Sequence, residues 1–149
     1  MAYRVIQWAT GGVGRAAIEG IVSHPELELV GCWVHGAEKA GRDVGELCGL
    51  GRRLGVVATN DEAALLAQDA DCVLYAPILA NRKQVVRILE SGANIVTTRG
   101  EFHRPASMEP ALRRRVEDAC AKGGTSIHST GRPLARASRR SKRPLRSHS

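Results

Sequence analysis

The stretch Tyr3-Arg4-Val5-Ile6-Gln7-Trp8-Ala9-Thr10-Gly11-Gly12-Val13-Gly14-Arg15-Ala16-Ala17 decides the fold of this 149-residue chain. Tyr3 to Ala9 is a mostly apolar run that ends at a glycine cluster, the pattern of a strand buried on both faces. Thr10 to Gly14 reads as a turn. Arg15 to Val22 then carries helical spacing through Ala17, Ile18, Ile21 and Val22, and His24-Pro25 stops it, because a proline disfavours helical backbone in the residue before it. Gly12-Val13-Gly14-Arg15-Ala16-Ala17 fits G-x-G-x-x-G/A, and Gly11, Gly14 and Ala17 fit the related G-x-x-G-x-x-G/A spacing. Such a pattern supplies a glycine for the tight turn out of the strand, another for close approach of backbone to a pyrophosphate, and a small residue where helix meets sheet. The helix start adds free N–H groups and a positive dipole end. Leu27 to Val34 reads as a second strand and closes a βαβ unit of about 30 residues, the context that the fingerprint requires.

Outward from that unit the alternation continues. The glycine-rich stretch Gly36 to Gly55 holds a short helix near Asp43–Leu47, and Gly55 to Ala58 reads as a third, short strand. Thr59 or Asn60 caps a helix from Asp61 to about Gln68, using a short polar side chain as acceptor for free N–H groups. Asp71 to Ala76 is a fourth strand, ended by Pro77. Asn81 caps a helix through Ser91 with Val85, Val86, Ile88 and Leu89 on its apolar face and Gly92 at its end. Ala93 to Thr97 is a fifth strand. A helix from about Met108 to Lys122 stops at Gly123-Gly124, and Thr125 to His128 is a sixth strand. Strands alternating with helices imply right-handed crossovers and a parallel sheet covered on both faces. The fold class expected is α/β, a Rossmann-like doubly wound parallel sheet.

Aromatic residues make up only 3% of the chain, so the expected core is Val, Ile, Leu and Ala. No run approaches the ~18 apolar residues of a membrane span. The start Met1-Ala2-Tyr3-Arg4 runs directly into a strand without a secretory leader, which gives a cytoplasmic expectation. Cys32, Cys48, Cys72 and Cys120 are widely spaced with no C-x-x-C pair, so they read as small buried hydrophobes rather than a zinc or disulfide framework. The net charge of +7 sits in one place. From Arg132 onward there are seven basic residues and no acidic ones, which leaves 15 basic against 15 acidic residues before it. Residues 1–131 therefore read as one domain and 132–149 as a disordered Arg-rich tail.

Four segments resemble the N-terminal domain of dihydrodipicolinate reductase and its relatives, among them amine-forming dehydrogenases such as 2,4-diaminopentanoate dehydrogenase. They are Trp8-Ala9-Thr10-Gly11-Gly12-Val13-Gly14-Arg15, Gly41-Arg42-Asp43-Val44-Gly45-Glu46-Leu47-Cys48-Gly49, Asp71-Cys72-Val73-Leu74-Tyr75-Ala76-Pro77 and Asn94-Ile95-Val96-Thr97-Thr98-Arg99-Gly100-Glu101-Phe102. Their order and spacing cover roughly residues 3–131. The resemblance implies an NAD(P)-binding domain in which Gly11, Gly12, Val13, Gly14 and Arg15 lie against the dinucleotide phosphates. It implies that Ala76, Pro77, Thr97 and Thr98 lie by the nicotinamide. It further implies hydride transfer to or from a C=N or C=C carbon of a small molecule of amino-acid or imine type. An open sheet without its partner domain would expose apolar surface, so self-association into a homo-oligomer is a further expectation. Family members continue into a substrate domain after the point reached at Gly131, so the abrupt tail suggests a truncated or out-of-frame segment.

The fingerprint places an acid at the end of the second strand, on the ribose hydroxyls of NAD. Here that strand runs into Val34-His35-Gly36-Ala37, with Lys39 and Arg42 following. The cofactor expected is NADP or NAD, with the balance towards NADP. No metal site is expected, and the catalytic residues are not assigned. His128 at the end of the sixth strand and His103 after the fifth are candidates to donate a proton near neutral pH. Two other readings stay open: a cofactor-sensing domain without chemistry, and, as the weaker one, a nucleic-acid binder acting through the basic tail.

Overall fold

The computed structural model describes residues 2–10, 12–76, 81–97 and 109–129, in two compact units, Met1–Ile78 and Leu79–Ser149. The tail and the domain boundary at residue 131 lie outside the described residues. In the first unit β1 (Tyr3–Trp8) leads into α1 (Gly12–Ser23), followed by β2 (Leu27–Trp33), α2 (Val44–Leu47), β3 (Ala58–Thr59), α3 (Glu62–Leu66) and β4 (Cys72–Tyr75). β1 lies between β2 and β4, and β2 pairs with β3 on its other side, all in parallel. The order β3-β2-β1-β4 is the start of the order found in dinucleotide-binding sheets.

Both faces of this sheet are covered. Val5, Leu29 and Cys32 pack with Ile18 and Ile21 of α1 on one face. On the other, Gly31 lies so close to Leu65 of α3 and to Ile6 that a β-carbon there would collide with Leu65. Successive strand residues point to opposite faces, so Gly31 and Cys32 report the two layers of a doubly wound sheet. The core is more aromatic than its composition suggests. Trp8 stacks on Trp33 with ring centroids 5.2 Å apart, and Tyr75 lies 6.4 Å from Trp8, all three buried. All three sit at the last position of their strands, where one large ring covers area that several aliphatic side chains would otherwise need.

Several boundaries differ from the sequence reading, each for a local reason. α1 begins at Gly12, inside the expected turn. β3 is Ala58–Thr59 rather than 55–58, because the Gly55 N–H is bound to Asp43 and Val57 makes an isolated antiparallel bridge to Asp43. The cap of α3 is Asp61, whose carboxylate accepts from Ala64 N–H; Thr59 belongs to β3 and its hydroxyl accepts from Asp61 N–H. That helix stops at Leu66, and Asp69 shortly after has a left-handed φ of 54°.

The second unit holds α4 (Arg82–Glu90), β5 (Asn94–Thr97), α5 (Pro110–Gly123) and β6 (Ile127–Ser129), with β5 and β6 parallel. Asn81 caps α4 as expected, accepting from Lys83 and Gln84 N–H. The buried face of α4 is Gln84, Val85, Ile88 and Leu89; Val86 is half-buried. α5 ends at Gly124, whose φ of 68° suits a residue without a β-carbon. Just before it, Gly123 lies against the Leu89 carbonyl, which also accepts a 2.9 Å bond from the Thr125 hydroxyl. A β-carbon on Gly123 would meet that carbonyl. Gly123→Ala is therefore expected to force α4 and α5 apart and to cost about 1–3 kcal/mol. Urea unfolding followed by circular dichroism checks this, and an unchanged midpoint would count against close α4–α5 approach at this position.

Candidate functional site

The first site element is the junction of β1 and α1. Ala9, directly after β1, has a φ of 86°, the left-handed region that residues with a β-carbon rarely adopt. Its N–H donates to the Trp33 carbonyl at 2.8 Å, and its own carbonyl accepts from the Gln7 side-chain amide at 2.9 Å. The tight turn thus falls at Ala9, before the helix that opens at Gly12. This shifts the register of the fingerprint: Ala9-Thr10-Gly11-Gly12-Val13-Gly14 takes the G-x-G-x-x-G places, with alanine at the first. Gly12 is in the helix rather than in the turn out of the strand. A 12-residue helix starting here leaves its first-turn N–H groups free, and no acidic side chain occupies that turn. The donor set therefore fits a phosphate anion and has no internal competitor for it.

The residues singled out from the sequence fall into three groups. Gly12, Val13, Gly14 and Arg15 form the first turn of α1. Ala76 stands level with them at the carboxyl end of the sheet, because its N–H donates to the Trp8 carbonyl at 3.0 Å. Thr97, in the second unit, is buried at the end of β5 and pairs in register with buried Ser129, and His128 between the flanking β6 residues is exposed. Gly11, Pro77, Thr98 and His103 lie outside the described residues.

Arg15 reaches across to the Gly49 carbonyl at 3.3 Å. The charges of Arg15 and Lys39 favour the thiolate of Cys48, and that of Glu19 opposes them. Burial nevertheless dominates there and pushes the Cys48 thiol up. Burial likewise pushes Cys32 up to about 12, aided by Cys48 and opposed by Lys39. Both thiols stay protonated at neutral pH, as packing groups rather than nucleophiles. Cys72 and Cys120 are half-buried, and all four cysteines are free. No metal-binding group of His, Cys, Asp or Glu occurs among the described residues. None of their helices is long and apolar enough to cross a membrane.

A family model described as "Dihydrodipicolinate reductase, N-terminus" matches residues 5–98. The chain belongs to this family. An amine dehydrogenase of Streptomyces virginiae is 37% identical over 132 residues, which cover 85% of this chain and 37% of the relative. A 4-hydroxy-tetrahydrodipicolinate reductase of Synechococcus elongatus is 40% identical over 62 residues, covering 42% of this chain and 22% of the relative. Among solved structures, the amine dehydrogenase from Mycobacterium smegmatis matches with a TM-score of 0.78 and 26% identity, over 88% of this chain and 40% of that one. GenD2 from gentamicin A biosynthesis, solved in complex with NAD, shares the fold with a TM-score of 0.65 at 18% identity, over 86% of this chain and 34% of its own. The chain thus spans two fifths or less of the length of these relatives. As a member of the dihydrodipicolinate reductase N-terminal family it is an NAD(P)-binding domain of the oxidoreductase type.

Within the family-like segment Gly41 to Gly49, the residue with a visible task is Asp43. Its buried carboxylate accepts from three backbone N–H groups: Gly45 at 2.9 Å, Leu54 at 2.8 Å and Gly55 at 2.8 Å. It caps α2 and ties the loop that follows α2 back to its start. The Leu54 bond is the main reason that this carboxyl lies below its ordinary 3.8; desolvation opposes it, and the Gly55 and Gly45 bonds and the Arg53 charge add to it. The spacing Asp43-Val44-Gly45-Glu46 marks a cap in the sequence, but the partners eleven and twelve residues on have no local signal. A depressed folded pKa stabilises the protein fully above the unfolded value and is lost as pH falls through the folded one. Asp43→Asn is thus expected to lower the melting temperature at neutral pH. Its difference from wild type should shrink as pH drops below about 4. Thermal melts from pH 7 to pH 2.5 check this, and a difference constant with pH would contradict it.

Proposed function

We propose that this chain provides the cofactor-holding part of an amine dehydrogenase-like oxidoreductase, acting on a small amine or imine. The observation that carries the reading is the β1–α1 junction: a bend at Ala9, a helix opening at Gly12 and no acid in its first turn. The identity with an amine dehydrogenase along 85% of the chain gives that junction its chemical setting. When bound, a nicotinamide ring supplies or accepts a hydride at its C4. The chain's own residues bind and orient. Backbone N–H groups of residues 11–15 take the pyrophosphate, with Arg15 beside them. Ala76 and Pro77 follow the fourth strand, and Thr97 ends the fifth with Thr98 next in sequence, which in this reading is the nicotinamide end, where ligands of open α/β sheets lie. The proton for the amine nitrogen and the substrate pocket belong to parts of the relatives that this chain does not span.

The preferred cofactor in this reading is NADP. β2 is followed by Val34, His35 and Gly36 rather than an acid, and half-buried Lys39 and exposed Arg42 stand in the next turn. Neither makes an ion pair among the described residues, and a 2′-phosphate is the anion of matching charge and reach. The partners proposed are the small-molecule substrate and a second copy of the chain.

Trp8 and Trp33 lie at the strand ends beside the junction, so tryptophan fluorescence reports occupancy directly. Titration with NADPH and NADH is expected to quench this emission, with the tighter binding for NADPH. Replacing Lys39 and Arg42 together by alanine should weaken NADPH by about tenfold and leave NADH unchanged. Failure of both nucleotides to bind the wild type at high micromolar concentration would sink the proposed function. Equal losses for both nucleotides in the double variant would remove the NADP preference alone.

A further inference from the structure

We infer that Gln7 is a positioning residue of the dinucleotide turn, holding Ala9 in the left-handed bend that aims the start of α1. The inference rests on the proposed cofactor site and adds a residue to it. Gln7 is the polar member of the run Val5-Ile6-Gln7-Trp8 and is 0% exposed. Alternation along β1 places it on the face of Val5, the α1 side of the sheet. Its Nε2 donates to the Ala9 carbonyl at 2.9 Å. The amide orientation follows from chemistry, since only the nitrogen end can face a carbonyl oxygen. The other end, Oε1, is buried and has no hydrogen-bond partner among the described residues.

That combination is informative. A buried acceptor without a partner is unfavourable, and an apolar side chain of similar shape would avoid it. What the amide offers in return is one bond, and that bond goes to the residue with the strained backbone. Ala9 at φ 86° carries a β-carbon in a conformation where glycine is at ease. Two bonds hold it there, one from each side: its N–H to Trp33 on β2, and its carbonyl to Gln7. The bend precedes the helix that opens at Gly12. Gln7 thus compensates for having alanine at the first fingerprint position.

The experiment uses the full chain with Gln7→Met, Ala9→Gly and the double variant. NADPH affinity is read by tryptophan quenching at a temperature at which circular dichroism shows each variant folded. In parallel, the Ala9 backbone coupling and carbon shifts by NMR read the sign of φ without any ligand. Gln7→Met should move Ala9 out of the left-handed region and weaken NADPH about tenfold, with the melting temperature kept or raised. With Ala9→Gly as the reference background, adding Gln7→Met should cost no further affinity, so that the double variant binds as Ala9→Gly alone does, because glycine takes the bend unaided. A merely structural Gln7 would lower the melting temperature and leave affinity alone, which overturns the inference. So does a double variant that binds more weakly than Ala9→Gly, or a wild-type Ala9 with negative φ. If Gln7→Met does not fold, Gln7→Leu takes its place, and the wild-type φ still decides. Should wild type bind no nucleotide, the proposed function fails while the NMR arm still judges Gln7.

Discussion

Two hydrogen bonds fix the chain where β1 gives way to α1: Ala9 N–H to the Trp33 carbonyl and the Gln7 amide to the Ala9 carbonyl. A parallel sheet cannot turn back on itself with a hairpin, so each strand must leave the sheet and cross over through a helix. At β1 that exit is a bend within a few residues, in the central strand of the first unit. The bend determines where the free N–H groups of α1 point, and β2 and β4 supply the neighbours that hold the strand straight up to it. The parallel pairing, the two covered faces and the phosphate-compatible helix start all meet at this corner.

The surroundings of the corner divide the labour. On the α1 side, aliphatic residues and the two protonated thiols of Cys32 and Cys48 fill the space under the helix. On the other side Trp8 stacks on Trp33 and Tyr75 lies tilted against Trp8, so that large rings fill three neighbouring strand ends at the carboxyl edge. Asp43 organises the loop between α2 and β3 with three backbone bonds, so that Arg15 finds the Gly49 carbonyl at the end of α2.

The order and type of every strand and helix were legible from apolar periodicity and punctuation, and the Asn81 cap and the Gly124 stop fell where the residues suggested. What escaped had a physical reason in each case. Glycines at 12 and 14 look like turn residues because glycine is a poor helix former, yet a helix start costs little to residues whose N–H groups are free anyway. The strand boundary at Ala58 depends on Asp43, a contact that no local pattern reveals. The stacking of the aromatics is likewise a property of neighbouring strands, not of any one segment. For the site, the segment proposed to bind phosphate was visible as a spacing, while its register awaited the φ of Ala9. Gln7 had one faint signal, a carboxamide inside an apolar strand, and only its partner explains it. The family resemblance carried by the four segments agrees with the match over residues 5–98.

The central claim is that the N-terminus of α1 receives the cofactor's pyrophosphate. Amide chemical-shift mapping of the nitrogen-15-labelled chain during NADPH addition tests it most directly. The account predicts that the largest shifts fall on the N–H groups of residues 11–15, with smaller ones at Ala9 and Ala76. Shifts confined to other segments, with residues 11–15 unmoved at saturating nucleotide, would contradict it.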